Sequence, residues 1–420
     1  MRSLILLLVG MAPLGAADEA SFLLRGGTIH TVSGDDIENG AVLVTKGKIE
    51  DVGPKVVAPK GVRIIDVKGL HVYPGMIDSG TEIGLSEVPS VMETNDTREL
   101  GDFNPQLRAL VGVNPASEHI PVTRVNGITS VITAPQGGIL CGQAALIHLD
   151  GWTWEEMAIA GSVAMRMRFP TFQPSAPRPS SQARVPFREL ERTHARQMRE
   201  LEELFESARR YQKAKAAGTP GFEPDMKLDA LLPVIDEKQP LLVAAVRERA
   251  IREALRFAEK EKVRIILEGP VEAWKVAGEL KSKNIPVILG PTLALPLNED
   301  DPYDKAYTLP GELYQAGVKF AFGTFSVSHS RNLPYQAATG VAFGLPYKEA
   351  LKAVTLNAAE IWGAGDEIGS IDKGKWADLM VTDGDPLETR TQVKQLFIRG
   401  KAVSLDNKQK QLYEKYLERR

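Results

Sequence analysis

The sequence has little cysteine and no excess of charge of either sign. Cys141 is the one cysteine in 420 residues, and a single thiol excludes both an internal disulfide and a metal site built from several thiolates. Lysine and arginine number 51 against 54 aspartate and glutamate, so the formal net charge is −3. This balance provides no basic field for nucleic acid and no polybasic patch for a membrane surface. We therefore expect a small-molecule ligand and no nucleic-acid partner.

Long apolar runs are scarce, and the most evident one lies at the N-terminus. Arg2 precedes an apolar core at residues 4–9, and small residues at 15–17 precede Asp18. This order is typical of an export signal, and the run is too short to span a bilayer. We expect cleavage after Ala17 and a periplasmic or secreted protein without a membrane anchor, because Cys141 is far from the cleavage region. The alternative is a buried N-terminal strand.

The rest of the chain has ordinary globular composition, with 43% hydrophobic, 25% charged and 6% aromatic residues. Residues 18–70 and 369–404 predict short strands separated by turns, and we expect both chain ends to form one small β-sandwich domain. Residues 71–368 alternate apolar strand-like runs with helical runs, which predicts parallel β-α units. Eight candidate strands over about 300 residues favour a (β/α)8 TIM-like barrel over an open sheet. The candidate strands cover residues 71–77, 129–133, 144–149, 163–169, 241–245, 264–267, 286–289 and 319–322.

Residues 170–235 interrupt this alternation and predict a helical insertion. Apolar residues recur at spacings of three and four from Phe187 to Tyr211, which is typical of an amphipathic helix. Its many charged residues indicate a solvated face, and binding a partner or covering the barrel mouth are the alternatives. A second amphipathic stretch, within residues 405–420, is expected to dock the C-terminus on the protein.

Two stretches of sequence have a recognisable pattern. The first is Pro74-Gly75-Met76-Ile77-Asp78, at the end of the first predicted barrel strand, and the second covers residues 354–359, 369–379 and 383–387. Both resemble the amidohydrolase superfamily, specifically its imidazolonepropionase-like exported members. The resemblance covers nearly the whole predicted mature chain.

The resemblance implies a metal-dependent hydrolase of cyclic or linear amide C–N bonds. In the family, zinc or a similar divalent ion lies at the C-terminal mouth of the barrel. Two histidines after strand one, a lysine on strand four, histidines after strands five and six, and an aspartate after strand eight hold it. Such an ion lowers the pKa of its bound water towards about 7.

In this sequence, the six family ligand positions hold Gly80, Glu82, Arg166, Ala244, Gly269 and Phe325. A catalytic metal needs about three protein donors, and Glu82 alone is a usable ligand. We therefore predict that the metal mechanism is absent, with no metal ligands and no cofactor. We predict that these six residues form the pocket together with Gln143 and Thr324. An ion pair between Glu82 and Arg166 would replace the metal, unless both side chains face water.

The other chemistry-bearing residues give weaker signals. His329 follows the eighth predicted strand and is, with Glu82, a candidate catalytic residue, although a loop histidine is more often a surface residue. The Gly-rich stretch 134–143 could form an anion-binding nest or a plain turn. We expect Cys141 to be buried, His148 to approach the mouth, and His71 to face the opposite end of the barrel.

Two functions follow from these observations. The first is a C–N bond hydrolase of the amidohydrolase family with an unusual, metal-free site. The second is a non-catalytic pseudoenzyme that binds a small ligand at the barrel mouth or a protein partner. The partners considered are a second copy of the chain and a related amidohydrolase.

Overall fold

The structure is a computed structural model that describes residues 20–172, 185–218 and 221–419. The predicted export signal, residues 1–17, lies outside the described residues. The same holds for most of the Pro- and Ser-rich start of the predicted insertion. No helix among the described residues is long and apolar enough to cross a membrane.

The described residues form sixteen strands. They are β1 (Phe22–Ile29), β2 (Ile37–Thr45), β3 (Lys48–Gly53), β4 (Arg63–Asp66), β5 (His71–Pro74), β6 (Met76–Thr81), β7 (Ile128–Thr133), β8 (Leu140–His148), β9 (Ala158–Arg168), β10 (Leu241–Ala244), β11 (Ile265–Glu268), β12 (Val287–Leu289), β13 (Phe320–Phe322), β14 (Leu379–Thr382), β15 (Val393–Ile398) and β16 (Lys401–Val403).

The described helices surround and connect these strands. They are α1 (Ala109–Gly112), α2 (His119–Arg124), α3 (Trp154–Met157), α4 (Phe187–Ala217), α5 (Met226–Ile235), α6 (Glu248–Glu261), α7 (Ala277–Ser282), α8 (Lys305–Gln315), α9 (Leu333–Ala342), α10 (Tyr347–Ala353), α11 (Leu356–Ile361) and α12 (Lys408–Leu417).

The two chain ends together build one sheet, which confirms the prediction that they share a small β-domain. Its order is β16-β15-β14-β5-β1-β2-β3, and β4 also pairs with β1. The eight strands are continuous because β1 changes partner along its length, from β4 to β5. The change falls at a bulge at Gly27, where an added Cβ would lie 2.9 Å from the Leu70 carbonyl oxygen. Phe22 and Phe397, from opposite ends of the chain, stack in its core at 4.5 Å.

The second sheet has the order β13-β12-β11-β10-β9-β8-β7-β6 and forms a nearly closed TIM-like barrel. The expectation of eight parallel strands is wrong for the third, because β8 runs antiparallel to both β7 and β9. Only residues 134–139 connect β7 to β8. A parallel connection needs about a dozen residues or more, so this short loop requires a hairpin.

The first barrel strand also begins later than predicted. Residues 71–74 form β5, which belongs to the sheet of the chain ends, and the barrel strand β6 begins at Met76. Gly75 separates the two strands. A Cβ at Gly75 would overlap the side chain of Thr129 on β7, so the chain crosses from one sheet to the other where only glycine fits.

The predicted insertion contains α4, which confirms the amphipathic helix. Leu201, Phe205, Ala208 and Tyr211 form its buried face, and Phe205 meets Phe257 of α6 edge-on at 5.4 Å. The C-terminal helix α12 also forms, but the expectation that it docks on the protein is wrong. None of its residues is buried, and its large apolar side chains, Leu412, Tyr413, Tyr416 and Leu417, are all exposed.

Candidate functional site

The first and last barrel strands meet at a buried carboxyl group. Asp78 on β6 accepts hydrogen bonds from the backbone N–H groups of Gly80 (3.2 Å) and Thr324 (3.0 Å). Its second oxygen accepts from the Thr324 hydroxyl at 2.6 Å. Burial raises the pKa of Asp78 to about 6, although these hydrogen bonds favour the ionised form. Asp78 and Thr324 therefore connect β6 to the end of β13, directly beneath the mouth.

Phe325 covers the position of the family's first histidine. Its backbone has a left-handed conformation, with φ of 50°, and its N–H donates to the carbonyl of Gly80 at 2.8 Å. An added Cβ at Gly80 would lie 2.6 Å from Cε1 of the Phe325 ring. Only glycine therefore fits under this ring, and a larger residue at position 80 requires the ring to move.

An ion pair lies at the centre of the mouth. Nε of Arg166, on β9, donates to Oε2 of Glu268 at the end of β11, at 2.8 Å, and Nη1 donates to the Pro135 carbonyl at 3.0 Å. The Glu268 side chain is 7% exposed and that of Arg166 17%. Charged groups this well buried are normally paired, so the two residues form one structural unit.

The predicted pairing of Arg166 with Glu82 is corrected by this arrangement. No ion pair within 4.0 Å joins these two side chains among the described residues, and Glu268 takes the place of Glu82. Arg166 on β9 is level with Leu242 on β10, which is level with Ile266 on β11. Glu268 lies two residues after Ile266, so its side chain faces the interior of the barrel on the same side as that of Arg166. Glu82 lies close by, half-buried. Burial raises its pKa; the charge of Glu268 adds to this rise, and that of Arg166 opposes it.

These three side chains surround a cavity of about 30 Å³. Its other lining residues are Thr81, Ala134, Gln136 and Phe325. The volume is enough for a bound water, which needs roughly 10–15 Å³. We call Glu82, Arg166 and Glu268 the mouth cluster.

The other predicted pocket residues are not all brought together. Thr324 and Gly80 lie beneath the mouth cluster, whereas Ala244 lines a separate cavity of about 720 Å³ beside α4. Gly269 lines a third, of about 70 Å³. The side chain of Gln143 points away from the mouth cluster. Gly142, and not Gln143, is the residue opposite Arg166 on the adjacent strand, and successive residues of a strand face opposite sides of the sheet.

The histidines lie away from the mouth cluster. His329 is exposed, and its Nδ1 is 3.2 Å from the Ser326 hydroxyl. The expectation that His148 approaches the mouth is wrong: since β8 runs antiparallel, its last residue lies at the opposite end of the barrel, 2.8 Å from Asp378. His71 lies in the other sheet, 3.0 Å from His30. Cys141 is buried, which raises the pKa of its thiol.

The residues at the mouth do not fit the family's divalent ion. Among the described residues, no three His, Cys, Asp or Glu side chains are grouped so that they could hold a metal. The Arg166 guanidinium is a permanent cation without a lone pair to donate, and the Phe325 ring covers Gly80. A cation would therefore meet the guanidinium of Arg166 at the family's lysine position and an apolar ring over Gly80, at the family's first histidine position.

Signals for Asp78 and Glu268 were present in the sequence. Each follows an apolar run in the sequence, towards the carboxyl edge where barrel enzymes place their polar residues. Their partners could not be read from the sequence, because Thr324 and Arg166 are distant along the chain.

Comparison with known proteins agrees with this architecture. The model of the Amidohydrolase family matches residues 283–403. The crystal structure of an amidohydrolase from Thermotoga maritima MSB8 is 27% identical, with a TM-score of 0.80 over 91% of this chain and 99% of the other. The chain belongs to the amidohydrolase superfamily.

Two curated relatives extend the comparison. Amidohydrolase tasK of Hapsidospora irregularis is 27% identical in an alignment of 405 residues that covers 86% of this chain and 40% of the relative. Imidazolonepropionase of Thermoanaerobacter pseudethanolicus is 37% identical over 84 residues, 19% of this chain and 20% of the relative. The chain thus spans less than half the length of each curated relative it matches.

Proposed function

We propose that this amidohydrolase-superfamily protein binds small amide or imide compounds at the mouth cluster without a metal ion. The ion pair between Arg166 and Glu268 is the observation that carries the proposal. It places a fixed cation and a fixed anion at the centre of the barrel mouth, where the superfamily's chemistry would be expected.

The mouth cluster is chemically complementary to an amide. A guanidinium offers N–H donors to a carbonyl oxygen, and a carboxylate accepts from an amide N–H. Glu82 is the half-buried member, and we assign it the contact with the ligand because Glu268 is already paired. The cavity accepts only the polar group itself, so the body of the ligand would lie in the open mouth above.

Hydrolysis of carbon–nitrogen bonds is the second candidate, and the similarity to curated and solved amidohydrolases favours it. Glu82 would act as the general base on a water in the cavity. Such a base contributes about 10²- to 10⁴-fold in rate, whereas a bound metal lowers the pKa of water from about 15.7 to about 7. A metal-free site of this kind would therefore be slow on unactivated amides.

We further propose export to the periplasm or the exterior, because residues 2–17 have the order of an export signal. We also propose that the chain forms a homo-oligomer or a complex with a related amidohydrolase.

One experiment separates the candidates. The full chain is purified with zinc or manganese, its metal content is measured by mass spectrometry, and succinimide, hydantoin and dihydrouracil are tested for binding by calorimetry and for turnover. We expect substoichiometric metal and saturable binding without turnover. Turnover without metal favours the second candidate, and stoichiometric metal overturns the site assignment.

Matched variants locate the binding. Glu82→Gln should weaken binding about tenfold, the loss of one charge-assisted hydrogen bond. Glu99→Gln, an exposed residue of the loop after β6, should have no effect. Equal loss in both variants would contradict binding at the mouth cluster.

A further inference from the structure

A larger cavity lies at the end of the barrel opposite the mouth. It has a volume of about 910 Å³ and is lined by residues from α2, the end of β8, the loop before α3, and the turn between β15 and β16. This volume is within the range of sites for small molecules, roughly 300–1,000 Å³. We call it the basal cavity, and its lining includes Arg124, His148, Trp152, Arg399 and Lys401.

Unpaired polar atoms concentrate at the basal cavity. Eight buried side-chain nitrogen and oxygen atoms lack a hydrogen-bond partner among the described residues, and three belong to lining residues: Nε of Arg124, Nδ1 of His148 and Nε of Arg399. Buried polar groups in native proteins nearly always have partners. Three at one cavity indicate a missing hydrogen-bonding group in that place.

His148 is the most constrained of these residues. Its side chain is 1% exposed, and its Nε2 is fixed 2.8 Å from Oδ2 of Asp378. With Nε2 occupied, Nδ1 is the one ring nitrogen left for a ligand. The same Asp378 accepts the backbone N–H of Arg399 at 2.8 Å through its other oxygen, so His148 and Arg399 are positioned by a single carboxylate.

The lining of the basal cavity carries three cations, Arg124, Arg399 and Lys401, and three carboxylates, Glu118, Asp150 and Glu156. Arg399 donates through Nη1 and Nη2 only to the carbonyls of Glu156 (3.1 Å) and Ala158 (2.8 Å). No carboxylate within 4.0 Å pairs with Arg399 or Lys401 among the described residues.

The acidic residues of the basal cavity are engaged or exposed. Asp150 is paired with Arg124 at 2.7 Å. The Glu156 carboxylate accepts the backbone N–H of Trp152 at 2.9 Å, and Glu118 is exposed. Arg399 and Lys401 are therefore the cations available to an anionic ligand.

Part of the wall is apolar. Leu149 and Met157 are fully buried behind it, whereas Trp152 is 91% exposed and Pro121 is partly exposed. An apolar wall with convergent donors suits a ligand that has an apolar body and one anionic end. We propose that the basal cavity is a binding site for a small organic carboxylate, whose carboxylate is held by Arg399 and Lys401 and whose body lies against Trp152 and Pro121.

Trp152 provides a direct readout of this site. The full chain is titrated with phenylacetate, and its tryptophan fluorescence is compared with that of Trp152→Phe. The neutral alcohol 2-phenylethanol, inorganic phosphate and buffer alone are the control titrations. We expect saturable one-to-one binding of phenylacetate with a Kd of about 1 mM or below, and a fluorescence change that is lost in Trp152→Phe. The alcohol 2-phenylethanol and phosphate should bind at least about tenfold more weakly.

The variants test the assigned contacts. Lys401→Met and Arg399→Lys should each weaken phenylacetate binding at least about fivefold. Lys394→Met, a neighbouring lysine on β15, and Glu82→Gln at the mouth should bind as the unmodified chain does. Lys401 is exposed, so its variant keeps the test valid if Arg399→Lys fails to fold.

Several results would overturn the proposal. They are the absence of saturation at about ten times the expected Kd, equal binding of 2-phenylethanol, equal binding of phosphate, and equal loss in Lys394→Met. Equal phosphate binding would mean that an inorganic anion or ordered water satisfies the unpaired atoms.

Discussion

Nε of Arg166 and Oε2 of Glu268 lie 2.8 Å apart across the interior of the barrel. β10 separates the strands that carry them. The pair joins positions 102 residues apart in the chain and fixes both charges at the mouth.

Loss of one partner should be costly. Arg166→Met leaves the carboxylate of Glu268 buried and unpaired, and we expect a loss of about 3–5 kcal/mol in the free energy of unfolding. The double variant Arg166→Met with Glu268→Gln should recover part of this loss. Urea unfolding of the wild type, both single variants and the double variant gives the coupling energy, and a value near zero would contradict a structural role for the pair.

The close approach at Gly80 predicts a steric effect. Gly80→Ala should lower the free energy of unfolding by about 1–3 kcal/mol, because its Cβ would meet the Phe325 ring. Adding Phe325→Ala should relieve that clash. Gly278→Ala on α7, where an added Cβ meets nothing within 4 Å, is the matched control. The prediction fails if thermal unfolding shows equal effects at the two glycines.

Asp78 should make stability depend on pH. Its pKa rises from 3.8 to about 6 on folding, so the buried carboxyl stabilises the fold most when protonated. That contribution is fully present below pH 3.8 and is lost as the pH rises through about 6, a change of about 3 kcal/mol by the usual conversion of pKa to free energy.

Asp78→Asn removes this titration. We expect the variant to gain stability relative to the wild type between about pH 4 and 6 and to hold a constant difference above that range. Thermal unfolding at several pH values measures the difference. The exposed Asp96→Asn should show no such gain, and a parallel pH profile for Asp78→Asn and the wild type would refute the assignment.

The exposed C-terminal helix should be dispensable for stability. Removing the residues after Asn407 deletes α12, none of whose residues is buried, so the free energy of unfolding should change by less than about 0.5 kcal/mol. A larger loss in denaturant unfolding would show that α12 packs against the protein in solution.

The sequence predicts the architecture better than it predicts the site. Hydrophobic periodicity and turn residues are local signals, and they placed α4 and most barrel strands correctly. The direction of β8 is not predicted, because the sequence places the third strand at residues 144–149 and leaves ten residues, 134–143, before it. In the structure β8 begins at Leu140, and only six residues remain for the connection. That error also misplaced His148.

The candidate site depends on partners distant along the chain. In the structure Glu82, Arg166 and Phe325 line one small cavity at the barrel mouth. The choice between Glu82 and Glu268 as the partner of Arg166 is decided by the stagger of neighbouring strands, which one sequence does not specify. The bond between Asp78 and Thr324 has the same origin, since barrel closure brings the first and last strands together.

The sheet shared by both chain ends has a consequence for biosynthesis. Tyr73 on β5 pairs with Met380 on β14, so this sheet is incomplete until the ribosome has made nearly the whole chain. Until β14 has been made, the edge of β5 that pairs with it is exposed. An unpaired apolar strand edge of this kind promotes aggregation. A chaperone that holds the nascent chain until β14 emerges would therefore be expected to raise the yield of folded protein.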